Sequence, residues 1–141
     1  MVCGKKLIAV VAGLVLGMSS SLAQVEVQLT VKEIMNAMIT PSTNTIWGAY
    51  QLASEAQWQE IENAALTVIA AGNLLALGGA GPGESAAAVE TDWRQHNDQM
   101  IEAAKEVLAA VAARDEEALS NAGNNALYPP CESCHQQYQR Q

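Results

Sequence analysis

Phenylalanine is absent from this chain, and aromatic residues make up only 4% of it. A core must therefore come from aliphatic side chains, here mostly Ala, Leu, Val, Ile and Met, which suit helices in close mutual contact. The alternation of apolar and polar residues that marks a half-buried strand is missing, as are internal repeats and low-complexity tracts. Proline is scarce, and glycine clusters at a few points. Positive charge is scarce too: seven Lys and Arg stand against 15 Asp and Glu, a formal charge of -8. That deficit argues against nucleic acid and anionic membranes as partners and favours an electropositive protein partner.

A long apolar run occurs only at the start. "MVCGKK" is a positively charged opening, "LIAVVAGLVLGM" an apolar stretch, and "SSSLAQ" offers Ser21 and Ala23 at the positions that precede a cleavage before Gln24. A transmembrane anchor is the competing reading, but the run is short of the roughly 20 residues a span requires. Residues 1–23 are therefore expected to be a cleaved signal peptide, carrying away Cys3, Lys5 and Lys6. The mature chain, residues 24–141, is then one small acidic domain outside the cytoplasm, in bacteria most simply the periplasm, with no membrane anchor left.

Four helical patterns follow. In the first, Val27, Val31, Ile34, Met35 and Met38 recur at spacings of three and four, and Pro41 is expected to end or kink the helix. Beyond it, Thr43 or Asn44 would cap a short extension that turns Trp47 inward. The second pattern starts at a capping box of Ser54 and Gln57 and carries the stripe Trp58, Ile61, Ala65, Val68 or Ile69, and Leu75. "GGAGPGES" breaks the chain. The third pattern, from about Ala86, has Trp93, Met100, Ala104, Val107 and Val111 on its inner side. Asp115 reads as the cap of the fourth, which Gly123 weakens and Pro129 and Pro130 interrupt before a last helical segment. Short connections between four helices predict an all-α fold, an antiparallel four-helix bundle.

Cysteine is the most telling scarcity. Beyond the leader only Cys131 and Cys134 remain, in "YPPCESCHQQY", with His135 directly after them. A Cys-x-x-Cys-His run is the attachment signature of c-type haem. The two thiols add across the two vinyl groups of the porphyrin, and the histidine is carried to the iron. A redox dithiol would sit at a helix start beside a βαβ unit, which the pattern lacks. Zinc would need about four ligands, and only His96 or scattered carboxylates could complete a set. The residue frequencies of the chain would produce the pentapeptide by chance on the order of once in a thousand such sequences. Zinc and a disulfide remain as alternatives. The other singled-out residues have plainer readings: His96 adjoins Arg94, Gln95, Asn97 and Asp98 and reads as part of a solvated face, and Met100 as core.

Export, four helices, the C-terminal "CESCH" and Tyr138 three residues after the histidine resemble cytochrome c′ and its low-spin relatives of the c-556 type. "TVKEIMNAMITPSTNTIWGAY" resembles a subfamily of their periplasmic members more loosely. The resemblance implies one covalent haem c, attached on the C-terminal helix through Cys131 and Cys134, with His135 as proximal iron ligand and Tyr138 beside it. It implies that a residue of the first helix covers the distal face. Met35, after "VKEI", is the favoured distal ligand and Met38 the alternative, against the reading that both are core. Gln139 stands where the family often has a basic residue, with Arg140 next to it. An electron-transfer cytochrome that exchanges electrons with redox partner proteins is the leading expectation. A five-coordinate NO- or CO-binding cytochrome c′ is the alternative, and a zinc-binding or structural helical module a third. The distal candidates include no acid-base pair, so an enzyme is not expected. Homodimers through the first two helices are common in the family.

Overall fold

Residues 25–139, the part of the chain that the computed structural model describes, form helices and connectors with no strand among them. The expected leader, residues 1–23, its cleavage position and Arg140 lie outside the described residues.

The first helical run begins with a capping box. Thr30 Oγ1 accepts from the Glu33 amide at 3.2 Å, and the Glu33 carboxylate accepts from the Thr30 amide at 2.8 Å. The Thr30 amide and hydroxyl, both donating to the Glu33 carboxylate, hold its carboxyl below its ordinary range. Helix α1, Val31–Ile34, passes into a π-helical segment, Met35–Ile39, and then into α2, Thr40–Trp47. Pro41 therefore does not end the helix. Its missing N–H and its ring would conflict with the carbonyl four residues back in an α-turn. The wider turn ahead of it, where the Thr40 N–H donates to the Met35 carbonyl, accommodates both. Thr43 is no cap either. It is buried inside α2, and its hydroxyl donates to the Ile39 carbonyl at 3.0 Å.

Helix α3, Glu55–Leu75, starts at the expected capping box of Ser54 and Gln57, a feature worth about 1 kcal/mol. Trp58, Ile61, Ala65, Val68 and Leu75 are buried, while Ile69 is half-buried. The third pattern begins later than expected. A single turn, α4 (Glu84–Ala87), stands apart, and α5 spans Thr91–Ala113. Trp93, Met100, Ala104, Val107 and Val111 of α5 are buried as its periodicity predicted. The last run comprises α6 (Glu116–Asn121), a second π-helical segment (Ala122–Leu127) and α7 (Tyr128–Tyr138). Asp115 caps it by accepting from the Ala118 amide at 2.9 Å. A wide turn again precedes prolines, here Pro129 and Pro130, with the Tyr128 N–H donating to the Gly123 carbonyl.

Specific bonds set which ends meet. Trp93 Nε1 and Asn97 Nδ2, near the start of α5, donate to the carbonyls of Leu75 and Gly72 in the last turn of α3, at 2.8 and 3.0 Å. At the opposite end Arg114, just past α5, pairs with Glu55 at the start of α3 and covers the Trp58 ring at 5.4 Å. The two helices touch closely at Gly72, where a Cβ would lie 2.6 Å from Ile101 Cγ1. Two carboxylates tie distant connectors together. Glu84 accepts from the amides of Gly81 and Val31, both at 2.9 Å, joining the glycine-rich connector to the start of α1. Glu116 accepts from the amides of Gln51 and Leu52, at 3.1 and 2.9 Å. The buried apolar residues of all these elements form one core. Among the described residues no helix is long and apolar enough to cross a membrane.

Candidate functional site

Cys131, Cys134 and His135 all lie on α7. The cysteines are one helical turn apart, so their thiols share a side of the helix. Both are half-buried, and Cys131 packs against the core, whereas His135 is exposed. The thiols are free. Burial pushes the Cys131 thiol up to about 11, with the neighbouring Cys134 adding to the effect, and burial raises Cys134 too. Neither is the acidic, thiolate-forming cysteine of a disulfide oxidoreductase.

The end of α7 is fastened to the start of α5. Tyr138 stacks edge-on against Trp93, with ring centroids 5.1 Å apart, and its hydroxyl donates to the Glu90 carboxylate at 2.8 Å. Its partial burial and that carboxylate push the phenol up to about 12. Gln137 Nε2 donates to Asp92 at 3.0 Å. Glu90, Asp92 and Trp93 thus fix the turn that follows His135. Tyr138 was legible beside the motif. Glu90 and Asp92 were not, because their partners are 48 and 45 residues away and leave no local pattern.

The Trp93–Tyr138 contact also sets the register of α5 against α7. One turn on from Trp93 come His96 and Asn97; one turn back from Tyr138 come Cys134 and His135. His96 Nδ1 and Asn97 Oδ1 are buried atoms without a hydrogen-bond partner. Asn97 itself is only 7% exposed. Orphaned polar atoms of this kind are rare in a finished interior and call for a bound group or water. His96, expected on a solvated face, is half-buried instead.

Met35 and Met38 both fall in the first π-helical segment, half-buried against the core. That segment packs chiefly on α1, α2 and α3, whereas α7 packs chiefly on α5 and on the π-helical segment before it. The first and last helical runs meet further along, where Trp47 Nε1 donates to the Gly123 carbonyl at 2.9 Å and Trp47 stacks edge-on with Tyr128 at 6.1 Å. Gly123 permits this approach: a Cβ there would lie 3.3 Å from Trp47 Cδ1. Trp47, expected to turn inward, keeps 38% of its surface exposed. So the predicted proximal trio shares one helix, and the two methionines sit on an element that does not pack extensively on it.

These residues fit a covalently held haem in two respects: paired half-buried thiols on one side of α7, and an exposed imidazole directly after them. Among the described residues no three or more His, Cys, Asp or Glu side chains gather closely enough to hold a metal ion by themselves. Compared with known proteins, the chain matches no family model, no curated protein and no solved structure.

Proposed function

We infer that the protein is an exported electron-transfer cytochrome of the c type, an antiparallel four-helix bundle related to cytochrome c′ and its low-spin relatives. One observation carries this: Cys131 and Cys134, half-buried and a single turn apart on α7, with the exposed His135 directly after them. Cys131 and Cys134 would hold haem c as thioethers, and His135 would bind its iron. When bound, the group supplies one-electron exchange at iron, tuned by the axial ligands and by burial.

The chain's own residues have separate tasks in this reading. Glu90, Asp92 and Trp93 hold the last turn of α7, and so the backbone beneath His135, in place. Met35 would be the distal ligand, with Met38 as alternative; both lie in the π-helical segment, half-buried against the core. A thioether at that position favours electron exchange over gas binding. The apolar core around them, built from Ala, Ile, Leu and Val, limits water access.

The visible spectrum of mature protein from a host that assembles c-type cytochromes tests this. A low-spin spectrum in both oxidation states, with fast reversible reduction, supports the electron-transfer reading. A high-spin iron that binds CO readily replaces it with gas binding. A colourless, stable protein removes haem altogether.

A further inference from the structure

Between α5 and the end of the chain lies an open groove of about 810 Å³ that the haem reading does not use. Its floor is small and apolar: Ala103 and Pro130 are buried, Ala126 is half-buried, and Pro129 continues it. One wall is the outer face of α5, where Asp98, Glu102 and Glu106 follow at four-residue intervals. That interval places them in a row about 12 Å long on one side of the helix. Arg94 stands at one end of the wall, and Lys105 pairs with Glu102 at 2.7 Å. Among the described residues Asp98 and Glu106 have no ion-pair partner.

We propose that this groove docks a lysine-bearing amphipathic helix of a partner protein. Charge selects the occupant. A row of carboxylates over an apolar floor complements a helix with cations along one edge and small apolar side chains beneath. Lysines four apart on such a helix repeat at the same roughly 6 Å interval as the carboxylates of α5, so one register faces the whole row and meets Asp98 and Glu106, the two that Lys105 leaves unpaired. A second copy of this chain is a poor occupant. Among the described residues its cations stand singly: Lys32 on α1, Arg94 in the groove itself, Lys105 on Glu102, and Arg114 on Glu55. Nucleic acid and anionic lipid would be repelled by the same row. The site uses none of Cys131, Cys134 and His135, so it stands or falls apart from the haem reading. Pro130 nonetheless leads directly into Cys131, which would seat the partner against the turn that carries the thiols.

The test uses the mature full-length protein and a synthetic helical peptide with Lys at every fourth position and Ala or Leu between. Calorimetric titration at low ionic strength gives the affinity, and hydrogen exchange gives the location. The triple variant D98N/E102Q/E106Q should bind about tenfold more weakly than wild type. The triple variant E26Q/E60Q/E117Q removes as many exposed charges elsewhere and should change affinity less than about threefold. Protection should appear in residues 91–106 and 125–130, and a peptide with Glu in place of Lys should not bind. Equal losses in the two triples, protection elsewhere, or no binding of the lysine peptide would each overturn the proposal. Because all six side chains are exposed, unchanged melts are expected for both triples.

Discussion

Replacing Trp93 tests the junction on which the candidate site rests. Its indole is 6% exposed, donates to the Leu75 carbonyl at 2.8 Å and meets the Tyr138 ring at 5.1 Å. Trp93→Phe keeps a ring against Tyr138 and removes the donor. The Leu75 carbonyl is not orphaned, because the Gly78 amide still donates to it at 3.0 Å. The lost bond therefore counts at its net value, about 1 kcal/mol. The smaller ring forfeits on the order of 1 kcal/mol more in buried apolar surface. Trp93→Phe should thus cost about 2 kcal/mol, and Trp93→Ala, which also leaves a cavity beneath Tyr138, about 4 kcal/mol. Urea unfolding of the mature protein at neutral pH reads both as a fall in midpoint with unchanged slope. The alanine variant should also speed hydrogen exchange in the last turn of α7. A phenylalanine variant within about 0.5 kcal/mol of wild type, or an alanine variant that costs under about 2 kcal/mol, would mean that α3, α5 and α7 do not meet at this residue.

Three further outcomes follow from named contacts. Glu84→Ala removes the acceptor for the Val31 and Gly81 amides and should cost about 2 kcal/mol; amide exchange should rise in Val31–Ile39 and stay unchanged in α5, and a uniform rise would refute the tether. Arg114 holds the Glu55 carboxyl below its ordinary value of 4.5, so the ion pair contributes stability that is present above pH 4.5 and fades as pH falls through the lowered value. The stability gap between wild type and Glu55→Gln should therefore close below pH 4.5, and a gap constant from pH 7 to 3 would show that the pair contributes through packing alone. Met35→Ala should turn a low-spin spectrum high-spin and admit CO while Met38→Ala leaves it low-spin; the reverse pattern would move the ligand to Met38, and no change in either would place both in the core.

How much of this was readable in the sequence varies by residue, for physical reasons. The Ser54–Gln57 box, the Asp115 cap and the inward stripes of α3 and α5 are local features set within three or four residues, and the structure has them where the spacing put them. Pro41 does not end its helix, because a proline's helix-ending effect assumes an α-turn ahead of it. Two π-helical turns, before Pro41 and before Pro129, keep the chain helical instead. Thr43 fell inside α2 for the same reason. Glu84 and Glu116 gave no warning of the tethers they make, since the Val31, Leu52 and Gln51 amides lie 53, 64 and 65 residues away. At the candidate site, the thiols and imidazole were legible as a motif. The partial burial of His96 and the burial of Asn97 were not, because a run of polar residues around them has the look of a solvated face, and the bond that Asn97 makes to the Gly72 carbonyl of α3 lies 25 residues away.

Covalent attachment of haem to Cys131 and Cys134 is the central claim of the proposed function. The direct measurement is the mass of the purified mature polypeptide after acid-acetone extraction, made on protein from a host able to assemble c-type cytochromes. Wild type should retain the mass of one haem through the extraction, and C131A/C134A should retain none. A wild-type polypeptide of unmodified mass, or haem that leaves with the solvent, would contradict the account.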